Sequence, residues 1–496
     1  MPDEHASPRR QDGALRLAFY LVGFVLFGLV SVLRYPRLDA LRPVYDPLVL
    51  VCVSGGVLLF FLAARSTVPR LLSPLLPRRR ALLVAGAAGT LALSCVGVAD
   101  LARVPRDLAH PHRYGNDAIA FTDCSTSLFV RGHNPYTDFS LVACFARLHM
   151  DGRSTTPLRA GLFAHNVTSP PRGATVRLFA LRAAQHARHP VEFEGALSYP
   201  AGAFLLAAPF YALGWHELST FYLAWTVLAY LLLAWGIPWR ARLPVAPLAL
   251  ANVAYWDNVS HGLSEPLVVF LILAAWMAYR RAWVSATLMG LAVATRQDAW
   301  LVAPFYLILI GRAYGWRAAT RRAVVIAALF ALANGPFLLQ SPDAWLAGVL
   351  GPFRDPMYPL GQGVIALGLL GWLPLWPRPV YTLLEAAALG ACLLIYARTC
   401  RRQPATGLVL ALVPLLFAWR SLFVYFYVPL PLYGLWALIA NAGPDGSMGD
   451  KKSPTQALVA NAEGAWPRGA GGRFPRVPAP LRSPLRRNTV DVGQTG

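Results

Sequence analysis

The sequence predicts an all-α integral membrane protein with many spanning helices. Hydrophobic residues make up 56% of its 496 residues and charged residues only 14%, and the mean hydropathy is +0.46. Soluble domains carry about 25% charged residues. The apolar residues lie in many long runs, and a spanning helix needs about 20 of them. A soluble enzyme fold and an outer-membrane barrel are therefore excluded.

The apolar runs are the candidate spans. Clear runs cover 15–34, 47–64, 81–99, 219–237, 264–280, 323–340, 379–397, 406–420 and 422–440. Shorter or interrupted runs cover 199–214, 243–256, 283–297, 298–311 and 361–375.

Clusters of arginine between the runs orient the helices. The net charge of +21 is concentrated in short arginine clusters, which indicates membrane topology rather than a nucleic-acid partner. The segment 65–80 holds five arginines and no acidic residue, so we place it, and with it the N-terminus, in the cytoplasm. The later arginine clusters are also cytoplasmic if 199–214 and 361–375 are re-entrant or half-membrane helices. About twelve full crossings then remain.

This topology divides the chain into four parts. Three N-terminal transmembrane helices occupy 1–99, and a long external loop occupies 100–198. A transmembrane core follows over 199–441. Residues 442–496, rich in Gly, Pro and Arg, are expected to form a disordered basic cytoplasmic tail.

The cysteines and histidines do not predict a metal site. None of the six cysteines has ligand spacing, and His110 and His112 lack a third ligand, so both histidines are expected to be solvated. Cys124 and Cys144 share the external loop. A disulfide between them requires an oxidising compartment, and two free thiols are the favoured alternative.

The external loop contains a weakly amphipathic segment that begins at Asp117. Its apolar residues Ile119, Phe121, Leu128 and Phe129 predict a helix lying flat on the outer interface. Asp117 either caps this helix or acts as a general base for an acceptor hydroxyl. Asp123 is six residues on, near the opposite helix face, so one of the two carboxylates is expected to be structural.

Polar residues also interrupt the apolar runs, and in this topology all of them lie on the outer side. They are His261, Glu265, Arg296, Gln297, Asp298, Arg354, Asp355 and Arg420. A charged residue at the bilayer centre costs about 2.5–3.5 kcal/mol, so such residues mark a helix end, an ion pair or a ligand site.

Two arginines among these residues are candidate anion ligands. Arg296 either pairs with Asp298 in a tight turn or holds an anionic head group. Arg420 has no acidic neighbour in the sequence and needs a partner, which a phosphate would supply. Ahead of the core, Glu192 and Glu194 lead into Tyr199, where a turn is at least as good an explanation as a functional role.

Several of these segments together resemble a known family. Asp117 lies about fifteen residues before Gly132-His-Asn134-Pro135-Tyr136. Tyr199-Pro200, Gly290-Leu-Ala-Val-Ala-Thr-Arg296-Gln297, and Arg420-Ser-Leu with Tyr425-Phe426 follow in order. Over roughly residues 100–440, the chain resembles the family 87 glycosyltransferases and their DUF2029 relatives, which are polyprenol-phosphate-sugar mannosyltransferases of the GT-C class. The segment of about 150–190 has no counterpart that we recognise in that family.

The resemblance implies a GT-C-like helical bundle and an inverting sugar transfer, with mannose expected, on the non-cytoplasmic face of the cell membrane. The donor would be a polyprenyl-phosphate sugar, and the acceptor a lipid or glycan hydroxyl of the cell envelope. Asp117 takes the family's position of general base. Arg296 and Arg420 are candidates for the donor phosphate, and His261, Glu265, Gln297, Tyr199 and Asp123 are candidate substrate contacts.

No cofactor is implied, and the sequence leaves open whether a divalent cation assists. Two other classes of function remain open. Half-helices and intramembrane charges also describe a transporter or lipid-linked sugar flippase, although we see no inverted repeat. A non-catalytic envelope-assembly protein would keep the fold and lose the base.

Overall fold

In the computed structural model of the chain, almost every regular element is a helix. The structure describes residues 8–34, 42–67, 69–75, 77–105, 114–237, 242, 245–252, 256 and 262–441. These residues lie within one compact unit, 1–448. The predicted tail, 442–496, lies outside the described residues, as do His110, His112 and His261.

Three long helices open the chain, as predicted. They are α1 (Pro8–Arg34), α2 (Arg42–Ala64) and α3 (Arg79–Leu101). Helix α1 packs against both of the others. The buried guanidinium of Arg16 in α1 donates to the carbonyl oxygens of Ala63 at 3.0 Å and Leu438 at 2.9 Å. It thereby ties the N-terminal helices to the C-terminal end of the bundle.

The predicted external loop folds into short helices. They are α4 (Asp117–Val130), α5 (Pro135–Asp138), α6 (Leu141–Arg147) and α7 (Arg172–Ala184), with a 3₁₀ turn at Gly161–Phe163. Helix α4 begins at Asp117, as the sequence predicts. Residues 119–127 of α4 are all buried, however, so the expectation of an amphipathic surface helix is wrong. The helix packs against α5, α6 and the short helices that begin the core.

The core begins with the two short helices α8 (Gly202–Leu205) and α9 (Ala208–Ala212). The next elements are α10 (Leu218–Gly236), α11 (Val245–Leu250), α12 (Glu265–Met277), α13 (Ala282–Thr295), α14 (Asp298–Tyr314) and α15 (Trp316–Gln340). Helices α12 to α15 run up and down in succession, and each packs against the next.

The last part of the core is more broken. It comprises α16 (Pro342–Val349), α17 (Gly351–Arg354), α18 (Ile365–Leu369), α19 (Arg378–Thr399), α20 (Thr406–Leu410), a 3₁₀ turn (Val413–Phe417), α21 (Val424–Tyr427) and α22 (Pro429–Ala440). Two short parallel strands, β1 (Leu360–Gly361) and β2 (Arg420–Ser421), pair within it. The sequence did not predict this pairing.

Six described helices are long and apolar enough to cross a membrane. Their apolar stretches are Asp12–Ser31, Asp46–Ala64, Arg79–Leu101, Leu218–Gly236, Trp316–Gln340 and Arg378–Thr399. All six coincide with runs predicted from the sequence. Helices α12, α13 and α22 are apolar but shorter, so about twelve crossings remains a prediction.

The two runs expected not to cross the membrane fully are indeed interrupted. Run 199–214 contains only the four-residue α8 and the five-residue α9, and run 361–375 only the five-residue α18. At 1.5 Å per residue, none approaches the thickness of about 30 Å that a span requires. Prolines also lie where the runs 406–420 and 422–440 are divided: Pro414 is the second residue of the 3₁₀ turn, and Pro429 is the first residue of α22.

Candidate functional site

Asp117 is the first residue of α4, but the residue before it caps the helix. The side chain of Asn116 accepts the bond from the backbone N–H of Ile119 at 3.3 Å. The carboxylate of Asp117 is directed elsewhere, and its Oδ2 accepts a hydrogen bond from the Thr156 hydroxyl at 2.8 Å. Burial raises the pKa of Asp117, while Thr156 and the charge of Arg420 oppose that shift. The carboxylate therefore has the surroundings of a site residue rather than a cap.

Thr156 comes from the segment that has no recognised family counterpart. Its carbonyl accepts from the backbone N–H of Glu194 at 3.0 Å, and Leu158 N–H donates to Glu192 O at 2.8 Å. Pro157 and Phe193 thus form an antiparallel bridge, and Leu158 forms another with Met357. This small ladder brings the loop, the approach to the core and the region before β1 together beside Asp117.

Glu194 is a buried carboxyl group in the same cluster. Burial and the negative charge of Asp117 raise its pKa to about 7, against a partial offset from Arg420. Its neighbour two residues earlier has a different role, because Glu192 is paired with Arg182 of α7. The sequence points to both glutamates without singling out Glu194. Two glutamates two positions apart in an extended segment were the available signal, and only their partners in the fold distinguish one from the other.

Arg420, in β2, lies close enough to these two carboxylates for its charge to lower the pKa of both. Its Nη1 lies 3.0 Å from the Met357 sulfur, and no carboxylate lies within ion-pair distance of it among the residues described. The side chain is partly exposed, so part of its charge is accessible to a ligand. β1 holds this strand: Leu360 pairs with Arg420, and Gly361 with Ser421.

Arg296 is already neutralised by the protein. It lies between α13 and α14, and its guanidinium contacts Glu265 at 3.0 Å and Asp298 at 3.2 Å. Ser264 Oγ accepts a third bond at 2.5 Å, and the Tyr199 ring lies 4.8 Å from the guanidinium carbon. The interpretation as a turn with an Arg–Asp pair is therefore correct. Two carboxylates leave Arg296 little attraction for a donor phosphate.

Gln297 is also engaged by the backbone. Its Nε2 donates to the carbonyl oxygens of Ser198 at 2.6 Å and Val349 at 3.0 Å. Both amide hydrogens are thus used to join the approach to α8 with the end of α16. This geometry disfavours a role as a sugar contact.

Asp123 is a structural carboxylate. It is fully buried, pairs with Arg147 of α6, and accepts from Tyr114 Oη at 2.8 Å. This arrangement fits the prediction that one of the two loop aspartates is structural, and a substrate contact of Asp123 stays a prediction. Beside it, Cys124 and Cys144 form a disulfide, so the favoured alternative of free thiols is wrong.

The Gly-x-Asn-Pro-Tyr segment connects the loop to the core. Asn134 caps α5 by accepting from the N–H of Tyr136 at 3.0 Å, and Pro135 fits the first turn. The hydroxyl of Tyr136 donates to the Tyr199 carbonyl at 2.9 Å. This motif is therefore a joint between the loop and the Tyr199-Pro200 segment rather than a group of reacting side chains.

The structure thus gathers part of the predicted site. Asp117 and Arg420 lie in one cluster with Glu194 and Thr156, and Tyr199 joins them to the Arg296–Glu265 pair. Asp123 and Gln297 are occupied by the fold. No group of three metal-ligating side chains occurs within the described part of the chain.

The comparisons with known proteins agree with the resemblance seen in the sequence. The model of glycosyltransferase family 87 matches residues 197–424. The matched residues make up a little less than half of the chain. They include Tyr199, Glu265, Arg296 and Arg420, whereas Asp117, Thr156 and Glu194 precede them. No curated protein and no solved structure matches the chain.

Proposed function

We propose, on the premise that the match to glycosyltransferase family 87 makes this chain a membrane glycosyltransferase, that it transfers a sugar from a polyprenyl-phosphate donor. The expected sugar is mannose, and the acceptor is a lipid or glycan hydroxyl of the cell envelope. The transfer takes place on the non-cytoplasmic face of a GT-C-like bundle and inverts the anomeric centre. The Cys124–Cys144 disulfide supports that side, because disulfides persist in oxidising compartments.

Asp117 is the general base of this proposal. The acceptor oxygen attacks the anomeric carbon, its proton passes to the Asp117 carboxylate, and the bond between that carbon and the phosphate oxygen breaks. A base is most effective when its pKa approaches the working pH, and burial shifts the pKa of Asp117 in that direction. The Thr156 hydroxyl fixes the orientation of the carboxylate.

Arg420 is the candidate for the leaving phosphate. Cleavage leaves the polyprenyl phosphate with one more negative charge, and a positioned guanidinium stabilises such developing charge. Of the two arginines predicted for this task, Arg420 is the one without a carboxylate partner in the described chain. Arg296 instead supports Tyr199 and Glu265 at the edge of the cluster.

The observation that carries the proposal is the Asp117 carboxylate, held by Thr156 within the field of Arg420, beside a core that matches the family. The test is transfer of radiolabelled mannose from polyprenyl-phosphate-mannose into a membrane lipid extract. We expect product with the purified wild-type chain and a loss of about 10²- to 10⁴-fold with Asp117→Asn.

Asp343→Asn is the matched control. Asp343 occupies the first turn of α16, so it reproduces the helix-terminal position of Asp117 away from the cluster. Equal loss of folded protein in the Asp117 variant would support a purely structural role. An absence of product from folded wild type with several donors would favour a flippase or an assembly protein.

A further inference from the structure

At the other end of helices α12 to α15 from Glu265 and Arg296, three connections meet around a cavity. They join α12 to α13, α14 to α15, and α19 to α20. Arg401 Nε donates to the Arg312 carbonyl at 3.0 Å, and Arg322 Nη1 donates to the Tyr279 carbonyl at 2.6 Å. These bonds hold the three connections together.

The cavity has a volume of about 320 Å³. It is lined by Tyr279, Leu309, Arg312, Ala313, Cys400, Arg401 and Pro404. Its wall thus combines apolar side chains with two guanidinium groups. A phosphate with attached hydrocarbon matches that combination.

The charge around the cavity has one sign. No acidic residue occurs in 266–297, 299–342 or 386–444, the segments that supply the three connections. Neither Arg312 nor Arg401 has a carboxylate within ion-pair distance among the described residues. A cavity with unneutralised arginines attracts an anion, and guanidinium groups bind phosphate in a bidentate manner.

A further arginine lies buried behind the cavity. Arg322 is 5% exposed, and its Nη1 bonds only to neutral oxygens, those of Tyr279, Ser285 and Tyr306. Its Nε is buried and has no partner in the described structure. This charge lacks a carboxylate too, and it adds to the positive potential at Tyr279.

Exposed aromatic residues place the cavity at the depth of the lipid head groups. Trp283, Trp316 and Tyr314 flank the same connections and are 74%, 61% and 46% exposed. Tryptophan and tyrosine concentrate where the hydrocarbon meets water. An occupant that arrives from the lipid is therefore favoured over one from solution.

We infer that this cavity binds the phosphate head group of an anionic phospholipid. Basic pockets between transmembrane helices bind such head groups. The inference depends on the chain being a membrane protein and not on the identity of the transferred sugar, so it can fail while the proposed function stands.

The experiment is native mass spectrometry of the full chain purified in detergent, with phosphatidylglycerol or phosphatidylcholine added in equal amounts. We expect phosphatidylglycerol to be retained preferentially. The double variant Arg312→Ala/Arg401→Ala should lower the retention of phosphatidylglycerol about thirtyfold, because each arginine near the membrane surface contributes about 1 kcal/mol to the binding of an anionic lipid. The control Arg317→Ala/Arg402→Ala removes two exposed charges near the same connections, outside the cavity, and should retain the lipid.

Three outcomes would overturn the inference. They are equal retention of the two lipids, equal loss in the control variant, and displacement of the lipid by millimolar inorganic phosphate, which would indicate a site for the free anion. If the double variant fails to fold, Arg312→Gln replaces it. The Arg312 side chain makes no hydrogen bond or ion pair in the described part of the chain, so its loss tests binding alone.

Discussion

At the scale of single residues, Thr155 and Thr156 are neighbours whose hydroxyl groups have different surroundings. The Thr156 hydroxyl donates to Asp117 at 2.8 Å. The Thr155 hydroxyl is buried and has no hydrogen-bond partner within the described residues. The two threonines therefore separate the effect of the bond to the proposed base from the effect of removing a hydroxyl from this segment.

Thr156→Val is expected to lower the rate of sugar transfer about 10- to 100-fold, because a hydrogen bond to a charged group contributes about 1.5–3 kcal/mol. Initial rates of mannose transfer measure this change. Thr155→Val is the control and should retain the wild-type rate. Similar losses in the two variants would indicate that the segment is only structural.

The pair Asp117 and Glu194 predicts a pH dependence. Transfer needs ionised Asp117, so the rate should rise with pH, with its acid limb above the ordinary aspartate range of about 3.9. Because the negative charge of Asp117 helps raise the pKa of Glu194 to about 7, Asp117 ionises first and Glu194 gains its charge only near neutral pH. The acid limb therefore belongs to Asp117, and Glu194→Gln should leave it in place while removing any change of rate near pH 7. An acid limb that moves in the variant, or a change of rate near pH 7 that persists in it, would refute this assignment.

At the scale of elements, the β1–β2 pair decides where Arg420 lies. Gly361 has φ +134°, and a Cβ built there would lie 2.1 Å from the Ser421 carbonyl oxygen. No side chain fits that space. The pairing therefore requires glycine at 361, and the strand that presents Arg420 depends on it.

Gly361→Ala should separate β1 from β2, displace Arg420 and reduce transfer at least tenfold, as loss of a charge-stabilising donor does. Transfer rates and thermal unfolding of the purified variant measure the effect. Gly371→Ala is the control, since Gly371 also has a positive φ, +73°, but open space around it. If the two variants lose the same activity, backbone strain rather than the displaced strand is responsible.

At the scale of the whole molecule, the topology predicted from the sequence puts the ladder and the basic connections on opposite faces of the membrane. The predicted external loop includes exposed Val167, and the predicted cytoplasmic connection between α14 and α15 is followed by exposed Arg317. The disulfide of the loop and the arginines of the connections are each typical of the side predicted for them.

This topology predicts the labelling of introduced cysteines. In intact cells, Val167→Cys should react with a membrane-impermeant maleimide, and Arg317→Cys only after permeabilisation. Cys95, which is exposed and free, is replaced by serine beforehand. Labelling of both positions from the same side would contradict the assignment of the loop to the non-cytoplasmic face.

The helical part of the fold could largely be read from the sequence, because hydropathy is a local property. The six helices long enough to cross a membrane and the start of α4 at Asp117 fall where the residue pattern predicts them. The interruption of the runs 199–214 and 361–375 was also predicted, from the arginine clusters that follow them. The β1–β2 pair was not predicted from the sequence, because strands of two residues are too short to produce an alternating pattern.

The candidate site was only partly predictable. The sequence by itself determined that the chain is a helical membrane protein, and it identified Asp117 and Arg420. Only the tertiary structure decided that Thr156 and Glu194 lie beside them. It also decided that Glu265 and Asp298 neutralise Arg296, and that Cys124 forms a disulfide with Cys144. The physical reason is that ion pairs and hydrogen bonds form between residues tens to hundreds of positions apart, and local patterns of polarity do not specify which polar groups meet.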